Sequence, residues 1–189
     1  MKFDSTTKGF LFLTREELTR ATDQPYEDFG ASTYHWDSTV PNHAIPAAGD
    51  VILVWNEKTS IGISLIESIS IALGEKLLPE CPSCRRKQVR ERKTLEPRYV
   101  CAAQTCKHEF EIPIWIEKSV TNYRSHHATG WINLRGKLSS QRCREIAFQS
   151  RSQHSIRPMN MHYAAAVMNS LAGIDFSPFQ EVYEKSKRL

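Results

Sequence analysis

The chain has 189 residues, 40% of them hydrophobic, and its formal net charge is +4. This size allows one well-packed core with a small appended subdomain, so we expect a soluble, globular protein. The longest apolar stretches, such as Val51–Trp55, are only as long as a strand, which excludes a protein that spans a membrane.

The first part of the chain is predicted to lead into a β-sheet. Residues 1–30 are expected to form an extension with a short helix that starts with a capping box at Thr14. Strand patterns follow, with an extended segment at 31–38 and two apolar strands at 49–56 and 60–69. A short polar turn joins the two apolar strands, so we expect them to form a hairpin.

Residues 34–42 combine aromatic rings with polar groups. This mixture suits the recognition of a flat ligand such as an extruded nucleobase, because rings stack on the base while polar groups contact its edge. Trp131 lies in a similar mixed segment, and two tryptophans can sandwich a base. The alternative is that each ring fills the core. The candidate base-binding residues are Trp36, Trp131, Tyr34, Asp37, Ser38 and Asn42.

Four of the five cysteines form two pairs with the spacing of a metal site. Cys81 and Cys84 are followed, after 16 residues, by Cys101 and Cys106. Two such pairs can place four thiolates at the corners of a tetrahedron, which suits Zn²⁺. Because four thiolates leave no position for water, the zinc is expected to be structural. The alternative, two disulfides in a secreted protein, is disfavoured because the N-terminus lacks the apolar region of a signal peptide.

The residues between the two cysteine pairs are predicted to form a strongly cationic hairpin. Segment 85–93 carries six arginine or lysine residues and one glutamate. Charge concentrated in this way indicates a polyanionic partner more strongly than the net charge does. A solvated hairpin that binds nothing is the alternative. The candidate phosphate-binding residues are Arg85, Arg86, Lys87, Arg90, Arg92 and Lys93.

After this hairpin the chain returns to strands and then changes to helices. Alternation with a period of two residues predicts a strand at 110–117, and another strand is predicted at 130–134. Helical patterns follow at 139–150 and 161–171. Gly173 is expected to end the second helix.

Strands that are interrupted by a zinc insertion and followed by helices predict an α+β fold. We expect a small curled β-barrel at 31–138, with the four-cysteine zinc ribbon inserted at 78–110. The C-terminal helices, within residues 139–189, are expected to pack on the barrel or to link it to a missing effector domain. Cys143 in the first of these helices is predicted to be a half-buried free thiol.

Motifs between about residues 30 and 160 carry a resemblance to a known superfamily. One order of motifs resembles the PUA superfamily, particularly its EVE and YTH members. It consists of Trp-x-Ser-Thr-x-x-Asn at 36–42, a Gly-Asp turn, an apolar strand and Ile-Gly-Ile-Ser-Leu-Ile-Glu at 61–67. A second set of motifs, further along the chain, resembles the N-terminal reader region of bacterial HNH endonucleases. These motifs are CPxC, the Arg-Lys hairpin, Pro-Arg-Tyr-Val-Cys, Phe-Glu-Ile-Pro and Ser-Ile-Arg-Pro-Met.

The resemblance implies a PUA-like barrel that captures a modified base in an aromatic cage. Trp36 matches the cage tryptophan, Trp131 falls where the second cage aromatic is expected, and Asn42 matches the asparagine of the motif. The implied function is to read a modified base in double-stranded DNA by base flipping. A 5-substituted cytosine such as 5-methylcytosine is the expected target, in a bacterial, cytoplasmic defence system based on a modification-dependent restriction endonuclease.

The nuclease itself is not predicted in this chain. An HNH site needs a histidine general base and metal-coordinating histidine or asparagine residues, and the seven histidines show no such grouping. We therefore expect a reader domain without enzymatic activity, whose nuclease is either covalently linked or separate.

Three other functions are compatible with the sequence. The first is an RNA-binding PUA-type module with a pocket for modified RNA. The second is an enzyme acting on nucleic acid, with Asp37 or His35 as acid or base. The third is an interaction domain whose basic hairpin docks on an acidic protein.

Overall fold

The computed structural model describes residues 1–14 and 31–188, which divide into two units. Unit 1 consists of residues 1–14, 31–72 and 121–188, and unit 2 consists of residues 73–120. The strands are β1 (Gly9–Leu13), β2 (Thr33–Asp37), β3 (Val51–Trp55), β4 (Ser60–Leu65), β5 (Ser68–Glu80), β6 (Val89–Glu91), β7 (Tyr99–Cys101), β8 (Glu109–Phe110), β9 (Ile114–His126), β10 (Ile132–Asn133) and β11 (Ile156–Pro158). The helices are α1 (Ser140–Ile146), α2 (Met161–Asn169) and α3 (Ser177–Ser186).

Unit 1 is organised around a five-stranded sheet with the strand order β10-β4-β3-β1-β11. Strands β1 and β3 pair in parallel, with Leu11 opposite Leu53, and the other pairs are antiparallel. Strands β1, β3 and β4 are buried along their whole length. Because both faces of these strands are covered, β1 and β3 are nearly continuous apolar runs, whereas β4 alternates serine or glycine with isoleucine or leucine.

The central strands supply two hydrophobic clusters, because successive side chains of a strand point to opposite faces. Leu11 and Trp55 belong to the first cluster, which also contains buried residues of all three helices. Phe12 and Trp36 belong to the second cluster, to which β2 contributes. The aromatic segment predicted to bind a base therefore packs, through β2, on the side of the sheet opposite to the helices.

Local sequence signals explain where the helices begin. The side chains of Ser139 and Asn160 cap α1 and α2 by accepting hydrogen bonds from the backbone N–H groups of Arg142 and Tyr163. Pro178 lies in the first turn of α3, where its missing N–H costs nothing. Within the ranges 1–14 and 31–188, no helix has both the length and the apolar character needed to cross a membrane.

Both predicted helices are confirmed, but they are shorter than expected. Helix α1 ends at Ile146 because Ala147 adopts an extended backbone and forms a bridge with Met159. A third helix, α3, was not predicted. Its buried residues Phe179 and Tyr183 are spaced four apart and complete the helical cluster of unit 1.

The α+β class is confirmed, whereas the barrel is not. In the described part of the chain the strands do not close, because β10 and β11 form two edges of the five-stranded sheet and β2 belongs to a separate sheet with the order β2-β9-β5. Strand β1 lies within the stretch 1–30, for which no strand was predicted. Its residues form an apolar run that fits a buried strand, but its partners β3 and β11 are distant in sequence, so only the structure shows where it pairs. The helix predicted from Thr14 falls on residues outside the described ranges.

Candidate metal centre and cationic ribbon

The four cysteines of unit 2 come together as predicted. Their Sγ atoms all lie within 4.8 Å of one another. The distance from Cys81 Sγ to Cys106 Sγ is 3.8 Å, and that from Cys84 Sγ to Cys101 Sγ is 3.6 Å. A Zn–S bond of about 2.3 Å gives a tetrahedron with edges of about 3.8 Å, whereas a disulfide needs about 2.05 Å. The cysteines are free, and their spacing suits a metal ion such as zinc.

Two similar turns position the sulfurs. Cys84 and Cys106 are each followed by a residue with positive φ, which is 61° at Arg85 and 54° at Lys107. The backbone N–H groups of the next residues, Arg86 and His108, donate hydrogen bonds to the two sulfurs. Such N–H donors stabilise a thiolate, which is the form that binds metal.

The electrostatics of this cluster favour a bound cation. The backbone N–H of His108 lowers the pKa of Cys106 to about 7. The N–H of Arg86 also lowers the pKa of Cys84, but burial and the neighbouring cysteines outweigh it and raise that pKa to about 12. Four thiolates so close together repel one another strongly, and a dication removes this repulsion.

A small hydrophobic cluster supports the metal centre. Its buried residues include Cys81, Cys101, Tyr99 and Phe110. Tyr99 and Phe110 lie opposite each other on β7 and β8, and their rings stack with centroids 6.1 Å apart. The three-stranded sheet β6-β7-β8 thus carries Cys101 and the aromatic side chains that pack beside the cysteine cluster.

Most of the candidate phosphate-binding side chains are exposed. Arg90 lies between Val89 and Glu91 on β6 and faces away from the metal cluster, against which Val89 packs. Three of these cations have no carboxylate within ion-pair distance among the described residues, namely Lys87, Arg90 and Lys93. Within the described part of unit 2, these side chains are exposed and form no ion pair. The exposed members of the candidate set are Arg85, Arg86, Lys87, Arg90 and Lys93.

Arg92 differs from the other members of the predicted set, because its side chain is only 11% exposed. Its Nη1 and Nη2 donate to the two carboxylate oxygens of Glu109 at 2.7 and 3.1 Å. Its guanidinium also donates to the carbonyl of Pro97. Arg92 therefore links two parts of unit 2. Arg85 is 59% exposed and lies 3.4 Å from Glu80, so it stays accessible.

Trp36, the predicted cage residue of unit 1, is 2% exposed. Its ring stacks on Tyr123 with centroids 5.4 Å apart and meets the edge of Phe12 at 5.5 Å. Its Nε1–H donates to the carbonyl of His43 at 2.8 Å. A base could therefore stack on Trp36 only if a neighbouring ring moved aside.

The other polar candidates near Trp36 stabilise the end of β2. Asp37 is fully buried and accepts hydrogen bonds from the N–H and hydroxyl of Thr39. The Ser38 hydroxyl accepts a bond from the N–H of Thr121 at 3.0 Å. Asn42, with a φ of 67°, donates from its side chain to the carbonyl of Ile156. These bonds hold the loop after β2 against the rest of unit 1.

Tyr34 and Trp131 also pack into unit 1. Tyr34 is 5% exposed, and its hydroxyl donates to the carbonyl of Leu13. Trp131 is half-buried and lies on Gly62, where an added Cβ would come within 2.1 Å of Trp131 Cζ2. Trp131 and Trp36 border the same hydrophobic cluster, but no direct ring contact between them occurs among the described residues. The glycine in the β4 motif thus makes room for an indole.

Two aromatic residues of this region were missed by the sequence analysis. Tyr123 and His43 are half-buried, and their rings lie 5.5 Å apart with His43 Nδ1 at 3.2 Å from the Tyr123 hydroxyl. Together with Trp36 they form the aromatic cluster of unit 1. Tyr123 lies on β9 opposite Trp36. Only this strand pairing identifies it, since no local motif surrounds it.

Cys143 is fully buried, which is deeper than predicted. Burial raises the pKa of its thiol to about 12. A protonated, inaccessible thiol is not a nucleophile.

Comparisons with protein-family models, curated proteins and solved structures found no match for this chain.

Proposed function

We propose that this chain is a nucleic-acid-binding module in which a zinc-stabilised ribbon presents cations to the phosphate backbone. The observation that carries the proposal is the set of exposed cations without carboxylate partners, Lys87, Arg90 and Lys93, on the described residues of unit 2. Phosphate contacts supply affinity without sequence information.

The proposed metal is a structural Zn²⁺ held by the four thiolates. Cys81, Cys84, Cys101 and Cys106 would fill its coordination sphere and leave no position for water. When bound, the ion neutralises the thiolates and fixes the two turns that carry Arg85 and Lys107. Its role in the proposal is to hold the cationic hairpin in shape.

In its narrower form, the proposal is that the partner is double-stranded DNA with a modified base, such as a 5-substituted cytosine. The aromatic cluster of unit 1 supports this form, because a flipped base stacks on aromatic rings. Since Trp36 is covered, the half-buried rings of Tyr123 and His43 would contact the base first. RNA carrying the same modification is the alternative partner.

The first test removes the free cations. The triple variant Lys87→Ala, Arg90→Ala, Lys93→Ala is expected to bind modified and unmodified duplexes more weakly by similar factors. Each lost phosphate contact should also reduce the slope of log affinity against log salt by about one unit. Fluorescence anisotropy with labelled duplexes at several salt concentrations measures both effects.

A matched control removes the same charge from unit 1. Lys137, Arg151 and Lys185 are exposed, so their triple alanine variant loses three charges without touching the ribbon. Equal weakening by both variants would show that only the net charge matters and would refute the ribbon as the phosphate surface. Competition between DNA and RNA with the same modified base separates the two partners.

A further inference from the structure

Unit 1 contains a buried cation that has no carboxylate partner among the described residues. Arg157 on β11 is 5% exposed, and it lies opposite Leu11 of β1, so its side chain is on the face covered by the helices. Its Nε donates to the carbonyl of His154 at 2.8 Å. In the described ranges no acidic group pairs with it, and its Nη1 has no hydrogen-bond partner. Buried arginines are normally paired, because an uncompensated buried charge is costly.

The neighbours of Arg157 increase this imbalance. Its guanidinium carbon lies 5.2 Å from the ring centre of Trp55, and that of Arg144 on α1 lies 5.7 Å from the same ring. The positive charge of Arg144 and, above all, burial lower the pKa of Arg157. Trp55 is 1% exposed, and its Nε1–H is likewise without an acceptor among residues 1–14 and 31–188.

Among the described residues, two buried donors lack a partner and two guanidinium groups lie near one indole ring, so the positive charge here has no matching acceptor. We infer that Arg157, Arg144 and Trp55 form a binding site for an oxyanion of the phosphate or carboxylate class. A planar guanidinium group can donate paired hydrogen bonds to the oxygens of either a phosphate or a carboxylate, and the indole N–H adds a neutral donor. Arg144 is exposed, so it can supply a second guanidinium to an anion that arrives from solvent.

This site is separate from the phosphate surface proposed for the ribbon and does not depend on it. All three residues belong to unit 1, whereas the ribbon cations belong to unit 2. Inorganic phosphate can therefore probe the site without any nucleic acid.

The experiment follows the indole N–H signals of the ¹⁵N-labelled protein by NMR while phosphate is added at constant ionic strength. The Trp55 signal, identified with Trp55→Phe, is expected to move downfield as its N–H gains an acceptor. The Trp36 signal serves as an internal reference, because its N–H already donates to His43. Acetate and a short oligonucleotide, titrated in parallel, distinguish a carboxylate from a free or a backbone phosphate.

Matched variants decide where the anion binds. Arg144→Gln keeps an exposed polar side chain, so the fold is retained, and it should weaken the phosphate response at least tenfold. Arg151→Gln removes the same charge from another exposed position of unit 1 and should change it less than twofold. An unmoved Trp55 signal with every anion, or equal effects of the two variants, would overturn the inference. If phosphate shifted only the NMR signals of residues 73–120, the anion site at Trp55 would be refuted and the ribbon would remain the proposed phosphate surface.

Discussion

At the scale of single residues, the environment of Trp36 decides what this side chain can do. The ring is enclosed by Tyr123 and Phe12, and its N–H is already used in a hydrogen bond. A residue with these contacts stabilises unit 1, whether or not a base also reaches it. Neither this burial nor the stacking on Tyr123 can be read from the Trp-x-Ser-Thr motif itself.

We therefore expect Trp36→Ala to lower the free energy of unfolding by about 3–5 kcal/mol, as truncation of a buried tryptophan typically does. Trp115→Ala is the matched control, because that tryptophan is 39% exposed and its loss should cost much less. Chemical denaturation of both variants measures the difference. A Trp36→Ala protein as stable as the unaltered chain would indicate a ring that serves only ligand binding.

At the scale of elements, the ribbon uses chemically similar arginines for different purposes. Arg92 joins β8 to the loop after β6 through Glu109 and the Pro97 carbonyl. Arg90, two residues earlier, is exposed and faces away from the metal cluster. Arg92 holds the hairpin together, whereas Arg90 makes no ion pair with any described residue.

This difference predicts that an arginine-to-lysine substitution lowers the stability of unit 2 at one position and leaves it unchanged at the other. Arg92→Lys should destabilise unit 2 by about 1 kcal/mol, because lysine cannot form the paired hydrogen bonds to Glu109 and the second bond to the part-buried Pro97 carbonyl. Arg90→Lys should leave stability unchanged, since it keeps an exposed charge. Hydrogen exchange of the β6–β8 amides measures the effect, and equal protection in the two variants would contradict the assignment.

At the scale of the whole molecule, the two units differ in what can stabilise them. Unit 1 has two extensive hydrophobic clusters. The cluster of unit 2 is smaller, and its buried members among the described residues are Cys81, Tyr99, Cys101, Ala103 and Phe110. Such a small core rarely suffices alone, and a metal ion commonly supplies the missing stability.

We expect purified protein to contain about one equivalent of zinc, and chelation to abolish the ordered structure of unit 2 while unit 1 stays folded. Metal analysis and amide NMR spectra with and without chelator measure this. Cys101→Ser should mimic chelation, and Cys143→Ser, which removes a cysteine outside the cluster, should retain the metal. A metal content below about 0.2 equivalents, with unit 2 ordered, would refute the structural metal.

The sequence by itself determined the four-cysteine cluster, the α+β class and the strands β3 and β4. Each of these depends on short-range patterns: the spacing of thiols in two tight turns, and apolar runs long enough for a buried strand. Only the tertiary structure decided that the strands of the described residues form an open sheet in which β1 lies between β3 and β11. Only the structure shows that Arg92 bonds to Glu109 whereas Arg90 is exposed. It likewise shows that Tyr123 covers Trp36 and that Arg157 is buried beside Trp55. These features arise from contacts between residues far apart in the chain, and a local pattern such as the apolar run of β1 indicates burial without showing which residues will be the partners.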